Sequence, residues 1–215
     1  MSDLATLNVG AFGDLFSSLQ PDRSLRADAV RGWFDQLDES LLSRPKKPVW
    51  WGDAEAESGR SELLLGRSLD AIRLLAIYTE RPELEVPDDL PASLAMDPAY
   101  SEAERSGFQK AHFGHLLVAD CWLPGDFDYT FRCPGPDGED RTFGSLQALC
   151  DQCVFLRRRS FGFDREALEA MADQSIEGEL PFLKLALIGL ARFSVASDQA
   201  RMRNVPLVLS GKPIA

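Results

Sequence analysis

Apolar positions recur at helical spacing over four stretches of the chain. In residues 25–42, Val30, Trp33, Phe34, Leu37 and Leu41 fall on one face, the pattern of an amphipathic helix. Ser24 stands where an N-cap belongs. Arg44-Pro45 closes the pattern, because a residue before proline is pushed out of the helical region. Over 61–79, Leu65, Leu69, Ile72 and Ala76 form a stripe widened by Leu64, Leu75 and Ile77, with Arg60, Glu62, Arg67, Asp70 and Arg73 on the wet side. Residues 146–159 carry Leu146, Leu149, Cys150 and Cys153 on one face, with Ser145 as the cap. Arg157, Arg158 and Arg159 fall in the last turn of that helix, where cations oppose its dipole favourably. Residues 181–197 are apolar almost all round, so this helix is expected to be covered on most sides. With Lys184 and Arg192 inside it, and short of the roughly 20 residues a bilayer demands, it is a core helix. Shorter helices are expected at 12–19, 98–105 and 164–172.

Short apolar runs between turn formers read instead as strands. Leu116-Leu117-Val118, bounded by Gly114 and Asp120, is taken as the strand at the centre of the sheet. Pro124-Gly125 turns the chain, and Asp126, Phe127, Asp128 and Tyr129 then alternate polar with aromatic in a second short strand. The Pro-, Gly- and Asp-dense stretch 132–141 reads as a hairpin tip. Residues 205–209 read as a strand at an edge, or one that begins at Pro206. The expected architecture is a single α+β domain over 1–215, a small, mainly antiparallel sheet packed by five or six helices. Residues 1–59 could form a looser N-terminal part.

Composition narrows the function. An apolar content of 45% over 215 residues supports a sizeable core. The net charge of −11 argues against nucleic acid and against anionic membrane surfaces as partners. The N-terminus MSDLATLNVG lacks the basic and apolar regions of a signal peptide, and four cysteines make no disulfide framework. A cytosolic protein is expected.

Candidate chemistry falls in two stretches. Trp50 and Trp51 precede Asp53, Glu55 and Glu57. Neighbours in an extended segment point opposite ways, so one tryptophan is expected inside and the other outside beside carboxylates, the composition of an interaction loop. The second stretch is a rim of His115, Asp120, Trp122, Asp126 and Asp128. Cys150-x-x-Cys153, with His112, His115, Cys121 and Cys133, has half the look of a zinc site. The cysteine pair shares an apolar stripe, however, where a thiol behaves as a small buried hydrophobe. No metal and no cofactor are expected. There is no Gly-x-Ser-x-Gly elbow and no phosphate-cradling loop. On a single strand His115 and Cys121 would stand about 20 Å apart at 3.3 Å per residue.

The order of Leu116 to Asp120, Trp122, the run from Leu123 to Phe127 and then Gly144-Ser145-Leu146 resembles a diffuse set of uncharacterised bacterial proteins. Some of these lie near toxin loci in the manner of immunity proteins. Members carry Glu-Gly between the aspartate and the aromatic residue, where this chain has Cys121. The resemblance, with the acidic charge, implies a cytosolic bacterial interaction protein. Its most concrete form is an immunity-type inhibitor covering a basic toxin domain with an acidic surface. The alternative is a small-molecule-binding protein or hydrolase using the Asp120 to Asp128 rim. A deep cleft holding His115 and Asp120 would favour the alternative.

Overall fold

The computed structural model describes residues 5–11, 15, 23–50, 61–109, 111–162, 165–176 and 178–211. In chain order these form β1 (Thr6–Val9), α1 (Arg23–Ser40), β2 (Ser61–Leu64), α2 (Ser68–Glu80), α3 (Pro98–Arg105) and α4 (Gly114–Val118). Next come β3 (Cys121–Leu123), β4 (Phe131–Pro134), β5 (Asp140–Ser145), α5 (Leu146–Ser160), α6 (Arg165–Ala172), α7 (Phe182–Arg203) and β6 (Leu207–Ser210). The six strands build one mixed sheet in the order β2-β1-β6-β3-β5-β4. All neighbours run antiparallel except β3 with β5. The result is an α+β domain with seven helices among the described residues, more than the five or six expected.

Both faces of the sheet are covered. Successive side chains along a strand point to opposite faces, and the central strands use both. Leu7, Trp122, Leu207 and Leu209 enter a core shared with α2, α5 and α7. Cys121, Leu123, Phe143 and Val208 enter a second core, closed by Val30, Phe34 and Leu37 of α1 and by Leu41 just after it. Among the described residues α1 supplies most of the helical cover of that face, and β1 lies inside the sheet between β2 and β6. The Trp33 indole donates to the Pro134 carbonyl at 2.9 Å, fastening α1 to the β4–β5 hairpin. None of the described helices is long and apolar enough to cross a membrane.

Several elements differ from expectation. Leu116 to Val118 are not a strand but lie in the one-turn helix α4. Side chains from other helices serve this turn: Gln152 Oε1 accepts from Leu116 N at 3.0 Å, and Glu80 Oε1 accepts from Phe113 N at 3.1 Å. The sheet centres on β6 and β3 instead. Residues 61–64 leave the predicted helix to pair with β1 as β2. Residues 126–129 join no strand. Ser24 lies inside α1 rather than ahead of it. β6 is a central strand, because Pro206 precedes it and removes no ladder donor from within it. α7 continues past 197 to Arg203, where Asn204 ends it in the left-handed conformation at φ +50°. Of the helix expected at 12–19, all but Leu15 falls outside the described residues.

Candidate functional site

After α1 the chain doubles back as a strap, residues 46–50, laid across the loop that follows β3. Val49 N donates to the Pro124 carbonyl at 2.9 Å, and the Tyr129 hydroxyl donates to the Lys46 carbonyl, also at 2.9 Å. Gly125 allows this approach. Its φ of +130° is a conformation L side chains rarely adopt. A Cβ there would stand 3.0 Å from the Lys47 carbonyl oxygen and 3.1 Å from Pro48 Cα. The loop is held from below by Ser145, whose hydroxyl donates to the Gly125 carbonyl at 2.8 Å and caps α5 by accepting from Ala148 N at 3.1 Å.

On this loop Phe127 is buried while Asp126 and Asp128 face out, so the alternation read from the sequence holds without a strand. Asp126 pairs with Lys46 at 3.1 Å, an exposed ion pair of the kind worth under about 1 kcal/mol. Lys47 reaches Asp38 at 2.6 Å, and the Arg44 guanidinium lies 4.7 Å over the Tyr129 ring. At the end of the strap stands Trp50, 37% exposed. Its ring meets Phe34 edge-on at 5.4 Å, and Arg31 lies 5.7 Å from its centroid. Val49, its chain neighbour, adds further exposed apolar surface at 49%.

The structure thus brings Trp50, Asp126 and Asp128 to one surface. Trp51, Asp53, Glu55 and Glu57 lie outside the described residues. The other candidates are not at a rim. Trp122 is fully buried, with its Nε1 donating to the His115 carbonyl at 2.8 Å. Asp120 is buried where β3 meets its neighbours: its N donates to the Thr142 carbonyl at 2.8 Å and its carbonyl accepts from Leu209 N at 2.7 Å. Its Oδ2 accepts from Thr142 N at 3.4 Å. Adjacency along the chain suggested one rim, but depth is set by the sheet, which pulls these residues inward.

His115 is likewise buried, its Nδ1 accepting the Ser145 N–H at 2.9 Å. That bond leaves the ring no acceptor for a nucleophile's proton. Burial lowers its pKa to about 4, while Asp128 pulls weakly the other way. As pH falls the unfolded chain therefore takes up the proton first, so the stability is complete above the ordinary histidine value and is lost on the way down to about 4. Urea melts should lose about 2 kcal/mol between roughly pH 7 and pH 5 through this residue. His115→Asn, whose Oδ1 can accept the same amide, should remove that part of the slope. An identical slope in the variant would assign it to other groups.

The cysteines follow the same logic. Cys121 is fully buried, and burial holds its thiol well above the ordinary range. Cys150 and Cys153 are buried against Ser197 and Ser194 of α7, and burial raises both thiols too. Among the described residues no group of three His, Cys, Asp or Glu side chains could hold a metal ion. The contributors that sequence reasoning missed are Arg31, Phe34, Lys46, Gly125 and Tyr129. They meet only through the crossing of strap and loop, and carry no short-range signal. No protein-family model, no curated protein and no solved structure matches the chain.

Proposed function

We propose that the protein is a binding protein of the immunity-inhibitor kind, acting in the bacterial cytosol. It takes a basic protein domain on the surface made by the strap at 46–50 and the loop at 124–130. The observation that carries this reading is Trp50, a partly exposed ring held in place by Phe34 and Arg31 next to exposed Val49. A tryptophan already fixed on one side loses little freedom when its other side is covered, which suits it as an anchor. The sequence runs on from it into Trp51, Asp53, Glu55 and Glu57, and the chain carries a net charge of −11. Charge of that sign attracts a basic partner and speeds encounter. The hydrolase alternative loses support because His115 and Asp120 are both buried and bonded to backbone amides.

Affinity capture from the source cells, followed by binding kinetics, tests the proposal. The captured partner should carry an excess of Lys and Arg. Trp50→Ala should speed its dissociation about thirty-fold, equivalent to roughly 2 kcal/mol. Reversing Glu55 and Glu57 to lysine should slow association and flatten its salt dependence. If no protein is captured, or if the partner binds both variants as it binds the native chain, the proposal fails.

A further inference from the structure

A cavity of about 630 Å³ opens between the start of α2, the segment 89–92, Ile176 and the segment 178–185. It shares no lining residue with the Trp50 surface, and it lies within the size range of small-molecule sites. Its floor is apolar, built from Leu65, Leu90, Ile176, Leu180 and Leu185. Among the described residues the charged groups that line it are Asp70, Asp89, Glu179 and Arg67, three carboxylates against one guanidinium. That guanidinium is already engaged, with Arg67 Nη2 donating to the Leu90 and Pro91 carbonyls at 3.3 and 2.9 Å. One nitrogen braces the wall in this way, and Nε and Nη1 remain as donors.

Asp70 is the distinctive group. It is half-buried in the first turn of α2 and, among the described residues, makes no hydrogen bond and no ion pair. Arg73 and Arg67 act on it only through space, and burial raises its pKa. Arg73 is turned elsewhere, its Nε donating to the Leu116 carbonyl at 3.4 Å. A carboxylate partly withdrawn from water and accepting no hydrogen bond gains when a cationic donor reaches it.

We propose that this cavity binds a small cationic amphiphile, with an ammonium head at Asp70 and an apolar body over the Leu65, Leu90 and Leu185 floor. An ammonium group supplies up to three donors to carboxylates that have none, and an alkyl or aryl body dries the floor. A carboxylate or phosphate ligand would meet three like charges against the single guanidinium of Arg67.

Titration of the full chain, followed by amide shifts in two-dimensional NMR, tests this with n-octylammonium, n-octanol and n-octanoate, each kept below micelle formation. The ammonium should give saturable shifts at Gly66, Asp70, Leu90 and Gly178, at least ten-fold tighter than octanoate. Asp70→Asn, nearly isosteric, should weaken the ammonium at least ten-fold and leave octanol unchanged, whereas Trp50→Ala should alter nothing. If Asp70→Asn does not fold, the ammonium-to-octanoate ratio on the native chain decides alone. The proposal is overturned by absent or non-saturable shifts, by octanoate binding as tightly, or by an Asp70→Asn variant that binds the ammonium as before.

Discussion

Trp122→Ala is expected to cost about 3–5 kcal/mol of folding free energy, a large share of the 5–15 kcal/mol that holds a typical domain together. The ring is fully buried and lies edge-on to Phe193 of α7 at 5.7 Å, so it joins the sheet to its most buried helix. Its indole N–H is the donor to the His115 carbonyl at 2.8 Å. Its Cδ1 would lie 3.2 Å from a Cβ built on Gly144, so the neighbouring strand has been kept bare to admit it. Alanine would lose the apolar contact, leave a cavity and strand the carbonyl. Trp122→Phe separates these effects: it keeps most of the apolar surface and loses the donor, and should cost about 1–3 kcal/mol. Urea unfolding followed by circular dichroism measures both. A loss under about 1 kcal/mol for the alanine variant would show that the sheet and α7 are joined by other contacts.

How much of this could be read beforehand depends on where each residue finds its partners. α1, α5 and α7 were legible because each repeats a one-sided or all-round apolar pattern over several turns, long enough for periodicity to exceed chance. β1 and β2 were not. TLNV and SELL are four residues each, and what makes them strands is pairing with each other and, for β1, with β6 some 200 positions away in sequence, as in Thr6 opposite Ser210. Leu116 to Val118 fits a buried strand or a buried turn equally well, and Gln152 and Glu80 decide the matter from other helices. At the site, the pairing of Trp50 with acidic neighbours was visible as composition, and the outward set of Asp126 and Asp128 as alternation. The depth of His115, Asp120 and Trp122 was not, since burial belongs to the sheet and not to any short segment.

The other large effect is expected at Arg192, a buried arginine in the middle of α7 between apolar Leu190, Ala191 and Phe193. Burial pulls its pKa down, with Asp173 opposing, so the site is a costly one for a charge. Three backbone carbonyls offset that cost. Nε donates to Ala172 at 3.0 Å, Nη2 to Gln174 at 2.7 Å and Nη1 to Leu64. Ala172 closes α6, whose last carbonyls have no partner within the helix, and Leu64 closes the edge strand β2. One side chain therefore caps a helix and ties it to the sheet. Two terms compete on replacement by an apolar residue. Removing a buried charge relieves its desolvation, and for a charge poorly paired that relief can win. Here each donated bond is charge-assisted and worth about 1.5–3 kcal/mol, and three oxygens would be left without donors. Loss should prevail, so Arg192→Met is expected to destabilise by about 3–5 kcal/mol, allowing for water reaching some of the freed oxygens. Arg192→Lys keeps the charge but cannot reproduce a rigid fork aimed at three oxygens, and should recover less than half of the loss. Hydrogen exchange would place the effect, with faster exchange at the amides of β2 and α6 before those of α1. A methionine variant as stable as the native protein would mean that desolvation and the three bonds cancel.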